Sequence, residues 1–142
     1  MAAAKGLCEA AGLELVAVSR LEVLADAAGL SAGCAVLDAG RGEFYVRVVA
    51  PSREAREVLC GFEELVRMAG GERVVVGEAR LGEVLAELRA ELYSVGAEQA
   101  LPAVLRELRV GGGDAALVDA NYVRGEREIY AKARVGGSGE SV

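Results

Sequence analysis

The stretch CAVLDAGRGEFYVRVV, residues 34–49, decides how the chain is read. Ala35, Val36 and Leu37 make one apolar run, and Gly40, Arg41 and Gly42 supply a bend. From Phe44 the chain alternates, with Phe44, Val46 and Val48 on one side and Tyr45, Arg47 and Val49 on the other. Strand-forming residues at period two around a glycine bend predict a β-hairpin. Asp38, Arg41, Glu43 and Tyr45 bring most of the polar groups of this stretch to the bend.

Upstream, residues 2–11 predict a helix of very small residues, with Leu7 as its one large apolar anchor and Gly12 as its stop. Ala3, Ala4, Gly6 and Ala10 would let another helix approach closely. Either that helix packs into the core or it meets another subunit. Residues 15–18, LVAV, predict a short strand. Ser19 with Glu22 three residues on has capping-box spacing and opens a helix carrying Leu21, Leu24, Ala25 and Ala28.

Downstream, Pro51 and Ser52 break the second arm of the hairpin. A short extended piece near Val58 and Leu59 then precedes a helix over 62–69, closed by Gly70 and Gly71. Residues 73–76 predict a buried strand. Leu81, Val84, Leu85 and Leu88 mark an amphipathic helix over 80–90, and residues 92–95 another strand. Leu101, Val104, Leu105 and Leu108 repeat the helical pattern over 98–109, with Pro102 expected in a first turn and glycines 111–113 as the stop. Residues 114–130 are mixed, and GGSGESV reads as a disordered tail. This order predicts an α/β domain with a mixed sheet.

Apolar residues make up 53% of the 142, but aromatics only 4%, so the core must be built from Ala, Val and Leu. With 16 basic and 22 acidic residues, and Lys5 and Lys132 the only lysines, the chain lacks the basic patch of a free-standing nucleic-acid binder. Histidine is absent, which removes the usual general base and every Ser-His or Cys-His nucleophile pair. Cys8, Cys34 and Cys60 lie far apart among small or apolar residues and read as reduced thiols of a cytoplasmic protein. No run approaches the ~20 apolar residues of a membrane span.

Asp38, Glu43 and Asp119 are the carboxylates that could hold a cation or act as acid and base, although solvated turn residues pairing loosely with Arg41 are the simpler account of the first two. Tyr45 and Tyr122 read as half-buried packing residues with a wet hydroxyl. The triple glycine matches no phosphate-binding loop. These residues describe a non-catalytic α/β module, with no metal and no cofactor expected.

Residues 2–28, AAAKGLCEAAGLELVAVSRLEVLADAA, followed by VLDAGRGEFYVRVV at 36–49, resemble the TsaB (YeaZ) family of bacterial proteins. That family carries an A-x-A-K-G-L-A helix, a P-L-V-G-V-S-[ST]-L-E-A-L-A strand and helix, and a D-A-R-[RM]-G-E-V-Y hairpin. VDANYVRGEREIYAK at 118–132 is similar, more loosely, to the family's ending. The resemblance implies the actin-like/Hsp70/sugar-kinase superfamily, whose lobes have RNase H-like topology. It also implies a catalytically inactive relative of the TsaD carbamoyltransferase. Such a subunit pairs with TsaD and with the ATPase TsaE to place a threonylcarbamoyl group on adenosine 37 of tRNA, touching tRNA only through the complex. Carried onto this chain, the partner surface falls on Ala3, Ala4, Gly6, Leu7 and Ala10.

Family members begin with an I-L-A-[IL]-D-T-[AS] strand and carry G-P-G-S-F-T-G-[LV]-R before the A-K-G-L helix; neither is present here. The expected organisation is therefore a truncated first lobe over 1–33, a second α/β lobe over 34–132 and a tail over 133–142. A homodimerising module or an inactive fragment is the alternative. A nucleotide hydrolase or protease, the remaining class, lacks a histidine, a phosphate loop and a nucleophile setting.

Overall fold

The computed structural model describes residues 2–111. Five helices and five strands follow one another as α1 (Ala2–Ala11), α2 (Arg20–Ala27), β1 (Gly33–Gly40), β2 (Glu43–Ala50), β3 (Arg53–Gly61), α3 (Phe62–Ala69), β4 (Val74–Val76), α4 (Ala79–Val84), β5 (Glu91–Leu92) and α5 (Ala97–Gly111). A 3-10 turn, Ala86–Leu88, follows α4. The strands form one mixed sheet in the order β3-β2-β1-β4-β5. β1, β2 and β3 make an antiparallel meander, while β4 runs parallel to β1 and β5 parallel to β4. Only β2 therefore runs against the other four.

Period-two alternation sends the two halves of each strand's side chains to opposite faces. Cys34, Val36, Phe44, Val46, Val74 and Val76 meet Leu65 and Ala69 of α3 and Leu81 of α4 on one face. Ala35 and Val75 meet Leu21, Leu24 and Ala25 of α2, and Ala28 at its C-terminal cap, on the other, with Leu37, Tyr45, Val49 and Tyr93 packed around them. α5 lies against α2, and its Ala103 is fully buried. Thus α2 shares its apolar contacts with the sheet, although it precedes residue 34. The result is a three-layer α/β/α arrangement around a core of Ala, Val, Leu and Cys with Phe44.

Several local expectations hold closely. The hairpin turns on Arg41 and Gly42, both at positive φ, with the two faces of β2 as the alternation requires. α3 spans the expected residues and ends on Gly70 in the left-handed conformation, whose N–H bonds the Val66 carbonyl. Gly33 opens β1 at φ +126 directly over the Arg73 backbone, where a Cβ would sit 2.1 Å from the carbonyl oxygen. This close approach lets the Cys34 N–H reach that same oxygen at 2.9 Å, tying β1 to β4.

Others are corrected. Residues 15–18 are not a strand but an irregular connection between α1 and α2. Both edges of β1 are already paired with β2 and β4, and the segment joins neither outer edge. β3 is a full nine-residue strand rather than a short piece; its charged start, Arg53 to Arg56, is tolerated because an edge strand has one neighbour and an open side. The helix expected over 80–90 stops at Val84, and the tighter turn that follows brings Leu88 against the core while Val84 stays exposed. β5 comes earlier than expected, although the Tyr93 N–H continues its ladder to the Val76 carbonyl at 2.9 Å. Pro102 lies inside α5, not in its first turn; its exposed position leaves the freed Glu98 carbonyl to solvent. The expectations for Asp119, Tyr122, residues 114–132 and the tail fall outside the described residues.

Candidate functional site

The register of the hairpin places Asp38 and Tyr45 on opposite faces of the sheet. Asp38 stands opposite Phe44 and Tyr45 opposite Leu37, so Asp38 shares the α3 and α4 side of the sheet and Tyr45 the α2 side. The Asp38 carboxylate accepts the Gly40 N–H at 2.7 Å, an Asx turn that shapes the bend. Arg41 is exposed at φ 59 within the turn, and Glu43 is half-buried beside it. Asp38 and Arg41 therefore build the turn, and Tyr45 packs beneath α2. Among the described residues, no group of three or more Cys, Asp or Glu could hold a metal ion.

The thiols divide by burial. Cys34 and Cys60 lie in the core, whereas Cys8 on α1 is half-buried. Burial pushes the Cys34 thiol up to about 11, with Cys60 adding to the effect. At neutral pH it is a protonated core residue and no nucleophile.

α1 stands apart from the packing. It buries no residue, and Ala3, Ala4, Gly6, Leu7 and Ala10 are all exposed, Leu7 at 72%. A Cβ built on Gly6 meets nothing within 4 Å. Among the described residues, the small-residue helix is thus no part of the core, and its close-approach face is exposed.

A second feature was not anticipated. At the carboxyl ends of β1 and β4, a crevice of about 260 Å³ opens between α2 and the start of α5. Val23 and Leu24 of α2, Leu37, Gly77, Val95 and Ala100 give it an apolar lining, with Arg20 on its wall. A second hollow of about 300 Å³ adjoins it, sharing Val18, Arg20 and Leu37 and extending to Tyr45 and Glu57. Crevices at strand carboxyl ends are a common ligand position in α/β sheets. The only sequence signal for it was the Ser19 cap, which fixes the α2 N-terminus at its rim.

That rim is held by a polar network. Ser19 Oγ accepts the Glu22 N–H at 3.4 Å and donates to Glu57 Oε1 on β3. Arg47 Nη1, cross-strand from Glu57, donates to the same oxygen at 2.9 Å. Neither Arg47 nor Glu57 lies near Ser19 in sequence, so the network depends on the β2–β3 register. Two further clamps hold this side. Arg73 forks onto Glu91 at 3.0 and 2.8 Å, touches the Tyr93 hydroxyl at 3.0 Å and bonds the Ala28 carbonyl at 3.3 Å. The Arg73 hydrogen bonds hold the Glu91 carboxyl below the usual carboxylate range. Arg106 of α5 bonds Glu22 at 2.6 Å and also Asp26, joining α5 to α2. No protein-family model matches this chain, and no curated protein matches it.

Proposed function

We propose that this chain is a non-catalytic binding subunit of the TsaB type. It would pair with a TsaD-like carbamoyltransferase and, through it, a TsaE-like ATPase in forming threonylcarbamoyladenosine at position 37 of tRNA. The sequence resemblance of residues 2–49 motivates the reading. The structural observation that carries it is α1: a ten-residue helix with no buried residue, whose Gly6 and alanines leave room for a second helix. A helix so poor in volume gains little from the body of its own chain and is suited to close packing against another. The strand order, with only β2 antiparallel, is compatible with an RNase H-like lobe of the actin-like superfamily.

The test is co-elution of the 142-residue chain with the TsaD protein of the same organism, followed by light scattering. A one-to-one complex lost on Gly6→Leu is the expected outcome. Gly6 has open space around it, so the substitution leaves the fold intact. Failure of the native chain to bind, or a complex indifferent to Gly6→Leu, would remove this reading.

A further inference from the structure

α5 is amphipathic in an unusual sense, because its apolar row faces away from the protein. One side is bound to the body: Ala103 is fully buried, and Arg106 reaches Glu22 and Asp26 on α2. At about 100° per residue, Leu101, Leu105 and Leu108 fall on the opposite side. They are 56%, 51% and 41% exposed. Their spacing of four and then three residues is that of a seam that a second helix fills, and an open row of this size marks an interaction surface.

The charges beside the row indicate which helix fills it. Glu98 lies in the first turn of α5 and Arg109 in the last. Eleven residues at 100° each bring them to within about 20° of one another around the helix, so both flank the leucines on the same side. Both are exposed, and neither makes an ion pair among the described residues. In an antiparallel pair of identical helices related by a two-fold axis, the first turn of one copy lies beside the last turn of the other. Glu98 of each copy then meets Arg109 of its partner, twice by symmetry. A parallel pair would set Glu98 against Glu98 and Arg109 against Arg109. The opposed helix dipoles favour the antiparallel arrangement as well.

From this geometry we infer that α5 is a self-association surface, on which two copies of the chain pair antiparallel through Leu101, Leu105 and Leu108 with reciprocal Glu98–Arg109 contacts. The inference does not depend on the reading of α1, which lies on a different element. Six leucines and two ion pairs make a small interface, below the roughly 1,200 Å² of a stable complex, so the dimer forms in a concentration-dependent way.

Sedimentation equilibrium of the full 142-residue chain over a concentration series tests it. The native chain should rise from 14.7 kDa toward twice that mass. Leu105→Glu, at a side chain that is half exposed among the described residues, should weaken the dimer by about tenfold or more while leaving the circular dichroism spectrum unchanged. Glu98→Arg and Arg109→Glu should each weaken it singly, and the double reversal should restore it. A native chain that stays monomeric would overturn the inference, since something other than a second copy then covers the row. So would a dimer unaffected by Leu105→Glu, including one lost on Gly6→Leu, or a double reversal no better than the single changes.

Discussion

The two faces of the sheet are built by different chemistry. Beneath α3 and α4, the buried contacts are apolar, with Leu65, Leu85, Val36, Val46 and Val76 fully buried. Beneath α2 the apolar set is smaller and rich in alanine. There, Arg47–Glu57–Ser19, Arg73–Glu91–Tyr93 and Arg106–Glu22–Asp26 brace the helix at its start, its end and its outer side. The dry face supplies cohesion through area removed from water. The braced face supplies position, and both crevices open there.

The contrast predicts unequal responses to perturbation. Leu65→Ala, at a fully buried site on the dry face, should cost about 2–5 kcal/mol by denaturant unfolding. A value below about 1 kcal/mol would break the distinction. Alkaline pH should attack the same face next. The folded Cys34 thiol is raised to about 11 from 9.0, so its neutral form favours the fold; that contribution is complete below the lower value and is lost as pH climbs through the higher one. Stability should fall by roughly 2–3 kcal/mol across that window, and a Cys34→Ala chain should lose this part of the pH dependence.

On the braced face, Ser19→Ala should cost about 1 kcal/mol through loss of the cap, and more if Glu57 is left without its second donor. The smallest effect belongs to Arg106→Ala. This arginine is 47% exposed, so its removal should cost less than about 1 kcal/mol, and the difference from the native chain should shrink in roughly 1 M salt. A cost at Arg106 equal to that at Leu65 would mean that polar bracing, not apolar burial, holds the molecule together.

Local signals carried most of the fold into the sequence. The alternation of β2, the glycines at the bend and the Gly70 stop are properties of neighbouring residues, and each resolved to the expected element. What depended on the sheet as a whole was not legible. The segment expected as a strand at Leu15–Val18 joins neither open edge of the sheet, at β3 or at β5, while β3 extends over its charged start in register with β2, with Glu57 opposite Arg47. The apolar period of α5 was plain in the sequence, but which side would be buried was not. Ala103 took the core position and the leucines were left outside. At the hairpin, nearness in sequence around the bend did not decide the face: the pleat sends Asp38 to one side of the sheet and Tyr45 to the other.

The strands of the meander run for 8, 8 and 9 residues, whereas β4 and β5 have only 3 and 2. This asymmetry sets an order of assembly. The long half closes through tight turns between successive strands and can form early, at little loop-closure cost. The short half must wait for α3 and α4 to carry the chain across before a few parallel hydrogen bonds form. In amide hydrogen exchange the molecule should therefore open from the β5 and α5 side, with the β1–β2 ladder the last protection to be lost.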